Sequence, residues 1–307
     1  MRELLHAFGT YQASKFMHLQ QRTIRGIAII LGLFLPLGSV VECARAMAGV
    51  HYSYGIKSKG CCTLIAHAGG AIDGNPYTNS REALLLSIRN GYHLIELDFD
   101  RTHEGDWYVQ HDWKSWALHT GYRGDLPPTA AAVASYRDKY GVQAEGYSFP
   151  GTYTAMSLDD LVHILAKHPD VRIITDTKGD DEAIDLIRVV RSTRRFKQFI
   201  FQTYSLAGLK EASVLAPQQQ LIWTAYLLRD WYVPDGFNEA LLSRLKKYPR
   251  LFALTIPLYT AHERPVMKRI RSALSIPILV HGNSKNINSR NLHLQLGEWG
   301  VNGVYVD

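Results

Sequence analysis

Residues 94–113 read LIELDFDRTHEGDWYVQHDW. Period-two alternation along the first seven puts Glu96, Asp98 and Asp100 on one face of a strand and Leu97 and Phe99 on the other. Carboxylates gathered at a strand end repel one another and resist desolvation, so they need a compensating positive charge. A hard divalent ion with oxygen ligands supplies one. A neighbouring lysine or arginine supplies one too, and these residues alone leave both open. WYVQ is short enough to fold back on the departing carboxylate strand as a small hairpin, which would bring His111 to the same end.

Working outward, short β-branched runs recur: CTLIAH (62–67), LIELDF (94–99), VRIITD (171–176), FIFQT (199–203), LIWTA (221–225), LFALTI (251–256), IPILVH (276–281) and NGVYVD (302–307). Helical patterns fit between most of them, near residues 80–90, 158–168, 181–193, 205–213, 236–247, 263–273 and 289–296. Asn79 followed by Glu82, and Ser157 followed by Asp160, are helix-start signals, and Gly91 is a stop. Eight strands separated mostly by helices predict a TIM-type (β/α)8 barrel. A doubly wound open sheet shows the same alternation, but GGAIDGN after the first strand is longer than a GxGxxG phosphate turn.

One interval, 104–156, breaks the rhythm with GDWYVQHDW, GYRGDLPPTAAAV and GVQAEGYSFPGTYTAM. In a barrel this aromatic- and glycine-rich insertion leaves the C-terminal end of strand two, the face that carries active sites. It is a candidate lid or substrate-recognition element; the alternative is a packing decoration, since aromatics in an insertion must bury themselves somewhere.

His67 ends the first strand, in IAHAGGAIDGN, as Glu96 and Asp98 end the second. A barrel brings His67 and His111 around one mouth, and two imidazoles flanking a metal-bound substrate can divide base and acid roles. Asp176 ends the third strand and shares a face with Lys178, so the carboxylate can join the metal site while the ammonium meets phosphate oxygens. An ordinary Asp–Lys ion pair has the same appearance.

Residues 1–60 differ in kind. A basic segment with Arg22 and Arg25 precedes the apolar run 27–41, extendable to Ala44. The expectation is membrane association through residues 22–44 with the remainder outside the cytoplasm, or a cleaved leader that releases it to the periplasm or medium; a buried first helix is the third reading. Residues 61–307 then form the barrel domain. The net charge of +6 biases encounter toward anionic partners. The basic stretches RSTRRFK, RLKKYPR and MKRIR lie in or beside helices without interleaved aromatics, which argues against nucleic-acid binding. Of the three cysteines, Cys43 is a candidate partner for Cys61 or Cys62, with Cys62 as a simple core residue the alternative.

IAHAGG, TNSREAL, IELDFDRTHEGDWYVQHD, IITDTK and GVNGVYVD together resemble the glycerophosphodiester phosphodiesterase family, within the group that includes the phosphatidylinositol-specific phospholipases C. The resemblance covers residues 62–307 and is strongest over 62–112. It implies a TIM-type barrel and hydrolysis of a glycerol-linked phosphodiester, lipid-derived in one version, with one divalent cation, calcium or magnesium. It assigns His67 and His111 to acid–base catalysis, Glu96, Asp98 and Asp176 to the metal, and Lys178 to substrate. The chain departs from the family at Ala68, where arginine is common, and at Thr78, where glutamate is usual. It departs again at Val280-His281-Gly282-Asn283, where the family often has a tryptophan–threonine pair and His281 offers a different polar contact to substrate. A barrel that binds a phosphate-bearing ligand or cell-envelope partner without turning it over is the alternative function.

Overall fold

The computed structural model describes residues 56–58, 61–136, 153–226, 231–233, 236–282 and 287–307. Among them eight parallel strands form a ring: β1 (Thr63–Ala66), β2 (Leu94–Arg101), β3 (Arg172–Asp176), β4 (Phe199–Thr203), β5 (Leu221–Thr224), β6 (Leu251–Pro257), β7 (Ile278–His281) and β8 (Gly303–Val306). Each pairs with its neighbours in sequence, and β1 closes the ring by pairing with both β2 and β8, Ala66 standing opposite Ile95 on one side and Val306 on the other. This is the expected TIM-type barrel.

Alternation explains both faces of the ring. Ile65, Leu94, Ile174, Ile200, Ile222, Ala253, Leu279 and Tyr305, one from each strand, pack together as an interior layer. Residues of opposite parity, among them Ala66, Ile95, Leu97, Ile173 and Phe201, pack outward against helix residues such as Leu84, Leu161, Ile184 and Leu209. Each such aliphatic or aromatic side chain contributes about 1.5–3 kcal/mol when fully buried. Two residues beyond the interior layer on each strand come His67, Glu96, Asp176, Gln202, Thr224, Thr255, His281 and Asp307. The apolar plug is thus followed by a polar ring at the C-terminal mouth.

The outer helices are α1 (Arg81–Arg89), α2 (Leu158–Lys167), α3 (Asp180–Val190), α4 (Leu206–Leu215), α5 (Glu239–Leu245), α6 (Arg264–Ala273) and α7 (Arg290–Glu298). Ser157 and Asp160 make the expected reciprocal cap on α2. The start of α1 differs from expectation, because Ser80, rather than Asn79, accepts the Ala83 N–H. Glu82 binds Thr154 instead, and Asn79 is released to face the mouth. The helix expected from 236 begins only at Glu239, capped by Asn238, because Gly236–Phe237 pairs antiparallel with Tyr232–Val233.

The insertion begins as a hairpin: Trp107–Val109 lies antiparallel on the end of β2, and Met156–Ser157 lies antiparallel on it in turn. Between them come helices Trp113–Thr120 and Ala130–Tyr136. Tyr108, Trp113, Trp116, Val133 and Ala155 form a separate small core with Tyr122 and Tyr136 against it. These aromatics bury one another, Trp107 joins the main core, and Tyr153 reaches Asn75 and Asp73 in the loop after β1.

The apolar run 27–41 and Cys43 lie outside the described residues. Among those described, no helix is long and apolar enough to cross a membrane. Cys62 is buried at the base of β1, in line with its reading as a core residue.

Candidate functional site

The chain leaves β1 through a tight turn, His67–Gly69, in which Ala68 adopts a left-handed conformation (φ 47°, ψ 37°). That strained residue has a use, for its N–H donates to Glu96 Oε2 at 2.8 Å. Gly70 follows at φ 91°, where a Cβ would stand 2.3 Å from Ser87 Oγ, and that hydroxyl donates to Gly69 O at 2.6 Å. Only glycine lets the turn sit this close to α1.

From β2, Glu96 and Asp98 point into the mouth and are almost wholly buried. With Asp176 of β3 they offer carboxylate oxygens that lie within 4.8 Å of one another. Asn79 grips Asp98 twice: its side-chain amide donates to Asp98 Oδ2 at 2.8 Å, and its carbonyl oxygen accepts the Asp98 N–H at 3.1 Å. Lys178, itself left-handed at φ 66°, donates from Nζ to Asp98 Oδ1 at 2.6 Å and stands 4.0 Å from Asp176 Oδ1. The lysine expected to meet phosphate is thus also the local counter-charge of the carboxylates. Asp176 is held by two stacked tyrosines, Tyr204 OH donating to Oδ1 at 2.8 Å and Tyr226 OH to Oδ2 at 3.0 Å.

His67 Nδ1 lies 3.3 Å from Asp307 Oδ1, and its Nε2 lies 3.8 Å from Glu96 Oε2. A carboxylate only accepts, so the Asp307 contact places a proton on Nδ1 and leaves Nε2 for chemistry. Tyr77 stacks edge-on against the imidazole at 4.7 Å. His111 follows the hairpin, whose Gln110 N–H donates to Asp98 O at 3.0 Å, and its own Nδ1 is 2.8 Å from Asp112 Oδ2. Both imidazoles therefore carry a carboxylate on one nitrogen.

The electrostatics divide the carboxylates. Burial, then the charge of Asp98, pushes Glu96 up to about 8. Burial also works against ionisation of Asp98, but Lys178 and then His111 override it and hold its carboxyl at about 2. Burial opposes the charge on Lys178, which Asp98 and Asp176 nonetheless keep above the ordinary lysine range. It opposes protonation of His67 too, yet the Asp307 hydrogen bond and the Glu96 charge lift that group to about 9. One buried carboxylate thus lacks a full counter-charge, and the all-oxygen donor set around it suits a hard divalent cation.

Thr78 is fully buried, with its hydroxyl 2.9 Å from Ser80 Oγ. His281 stands at the mouth with its ring against Tyr226, which also binds Asp176, and against Tyr305, which also faces His67. The seven predicted side chains accordingly all belong to the C-terminal mouth. Asp307, Asn79, Tyr204 and Tyr226 complete it and were not singled out as site residues; TNSREAL held Asn79 and NGVYVD held Asp307, which alternation puts on the face of Tyr305, while Tyr204 and Tyr226 carried no signal.

Fold and site together define a parallel α/β barrel with a carboxylate, lysine and imidazole cluster at its C-terminal mouth. Solved structures share this architecture. A glycerophosphodiester phosphodiesterase from Thermotoga maritima superposes with a TM-score of 0.56 at 17% identity, covering 80% of this chain and 94% of that one. A glycerophosphoryl diester phosphodiesterase from Parabacteroides distasonis gives 0.59 at 12% identity, over 82% and 85%. An Oleispira antarctica phosphodiesterase in complex with the product sn-glycerol-3-phosphate gives 0.56 at 16% identity, over 80% and 93%. No protein-family model matches the chain, and no curated protein matches it in sequence.

Proposed function

We propose that the chain is a metal-dependent phosphodiesterase acting on a glycerol-linked phosphodiester. The observation that carries this reading is the convergence of Glu96, Asp98 and Asp176 within 4.8 Å, beside an imidazole whose proton is fixed by Asp307. The architecture shared with phosphodiesterases, one of them holding sn-glycerol-3-phosphate, supports it.

Glu96, Asp98 and Asp176 are the residues that would hold the cation, calcium or magnesium, which when bound supplies charge neutralisation to a phosphoryl oxygen. Lys178 adds a fixed positive charge next to Asp98 and binds an anionic oxygen of the substrate. Tyr204 and Tyr226 keep Asp176 from rotating, and Asn79 does the same for Asp98. His67 and His111 share proton transfer: one takes the proton of the attacking hydroxyl, the other returns a proton to the departing alkoxide. Asp307 and Asp112 hold the two rings in the tautomer this requires.

The test is turnover of a panel of glycerophosphodiesters and lysolipids by the full chain with calcium, magnesium or chelator, read by phosphorus NMR. The expected result is cation-dependent release of a monoester if water attacks, or of a cyclic phosphate if a neighbouring substrate hydroxyl does. No turnover of any diester by folded protein that still binds glycerol phosphate would identify a binding barrel instead.

Residues 1–60 we read as an export or anchoring segment preceding the barrel domain, with residues 22–44 in or at the membrane and the barrel outside the cytoplasm. Arg22 and Arg25 before the apolar run support this. Protease accessibility in intact cells, with alkaline extraction of membranes, checks it; a protein soluble in the cytoplasm would contradict it.

A further inference from the structure

The base of the barrel, where the strands begin, carries a charge pattern that the mouth does not use. All three basic stretches, RSTRRFK, RLKKYPR and MKRIR, run to this face. The turn between α3 and β4 (191–198) exposes Arg191, Arg194 and Lys197, and the turn between α5 and β6 (246–250) exposes Lys246, Lys247 and Arg250. Arg271 is exposed in the last turn of α6. The turn before β5 (216–220) reads APQQQ, so no acidic residue stands in any of the turns leading into β4, β5, β6 and β7. These strands are consecutive in the ring, and their turns form one continuous arc.

Helix macrodipoles do not explain the arc. A cation in a last helical turn offsets the partial charge there, which accounts for Arg271, but the effect falls off within that turn. Arg194, Lys197, Lys247 and Arg250 stand beyond the ends of α3 and α5 at Val190 and Leu245. Among the described residues, none of the arc's cations forms an ion pair with a carboxylate. Like charges left side by side repel, a cost that an anionic partner removes. Phe196 and Tyr248, the aromatics within these stretches, pack against the core, which removes them as stacking platforms for bases. The chain also enters the barrel on this face, where Lys57 bridges Thr63 at the foot of β1. Arg271 reaches the turn before neighbouring β8, donating to Gly300 O at 3.0 Å and Asn302 Oδ1 at 3.3 Å. A negatively charged plane attracts this base, while the carboxylates cluster at the opposite end.

We propose that the arc of turns before β4 to β7 is a docking surface for anionic lipid, which holds the barrel base-down on a bilayer with its mouth turned away. The choice of lipid over other polyanions rests on the reading of residues 22–44 as a membrane segment given above; the charge of the face does not.

The experiment is amine labelling of the full chain, read lysine by lysine by mass spectrometry, on phosphatidylglycerol vesicles and on phosphatidylcholine vesicles recovered by flotation. Protein free in solution replaces the second sample if phosphatidylcholine retains none. On phosphatidylglycerol, Lys197, Lys246 and Lys247 are expected to react about tenfold more slowly, since each cation near an anionic surface contributes about fivefold to the docked population. Lys114, on the insertion at the mouth end, reacts equally in both samples. Salt at ~1 M, where the screening length falls to ~3 Å, removes the protection. Lys246→Gln, Lys247→Gln and Arg250→Gln together, all at exposed positions, restore the reactivity of Lys197. Retention by phosphatidylglycerol alone, with the base protected, removes the membrane reading of residues 22–44 and leaves the docking surface standing. Retention by both vesicles with no protection of the base removes the docking surface alone. No retention by phosphatidylglycerol overturns the proposal too, as does protection of Lys114 in place of the base lysines, which would put the mouth on the bilayer. Base lysines protected by duplex DNA but not by vesicles would make the face a nucleic-acid surface instead.

Discussion

Glu96 is the residue at which burial and chemistry conflict most. Its carboxyl keeps a proton up to about 8 in the folded protein, against 4.5 for an ordinary glutamate. Between those values the native state holds a proton that the unfolded chain has released, so the contribution is fully present below pH 4.5 and is lost as pH rises through about 8. His67, lifted to about 9 from 6.5, acts in the same direction, its contribution present below 6.5 and lost as pH climbs through 9. Thermal melts in chelator should therefore show stability falling from pH 5 to pH 9. A cation that displaces the Glu96 proton should bind more tightly with rising pH up to about 8, with proton release visible by calorimetry in buffers of different ionisation enthalpy. A flat apparent affinity over that range would mean that Glu96 does not take part.

Asp307 makes a second prediction at the same scale. If it acts only by fixing the His67 tautomer, Asp307→Asn should lower turnover by ~10²–10⁴-fold in the parent, the range of a positioned acid–base group. It should cost almost nothing more once His67→Ala is in place. Additive losses in the double variant would assign Asp307 a separate role. This pairing was hard to read in the sequence because the two residues lie 240 positions apart and meet only where β8 closes on β1.

At the scale of elements, the turn after β1 is the part most sensitive to a single methyl group. Gly70→Ala forces a side chain to φ 91° and against Ser87, and should cost about 1–3 kcal/mol while displacing the turn that carries His67 and the Ala68 N–H. Gly74→Ala, at φ 77° but with open space around it, meets only the backbone penalty, about 1 kcal/mol. Melting temperature and turnover measured together separate the two: activity should fall with Gly70→Ala and hold with Gly74→Ala. Equal effects would remove the close-packing account of this turn. Here the glycines were visible in IAHAGGAIDGN, but not which one touches α1. Asn79 illustrates a local signal with two meanings, since its type fits a helix cap and its amide is used on Asp98 instead.

Across the whole molecule, the barrel was legible because its strands are buried on both faces and bounded by helices, so that periodicity, length and β-branching agree. His67, Glu96, Asp98, Asp176 and Lys178 were legible for a related reason: each ends a strand or stands two residues beyond an inward position, and closure does the rest. The tyrosines that hold Asp176 were not, because Tyr204 and Tyr226 stand alone after β4 and β5, with nothing in their surroundings to distinguish them from packing aromatics. The insertion showed the reverse, for among its described residues the conspicuous Tyr108, Trp113 and Trp116 form a small core of their own.

The central claim is that the carboxylate cluster and His67 form one hydrolytic centre. The most direct measurement is cation-dependent hydrolysis of a glycerophosphodiester by the parent, His67→Ala and Glu96→Gln, each confirmed folded by circular dichroism and each assayed in chelator and after cation is restored. The account predicts turnover in the parent that chelator abolishes and cation restores, with losses of about a hundredfold or more in both variants. Parent-like turnover in either variant, or activity in the parent indifferent to chelator, would contradict it.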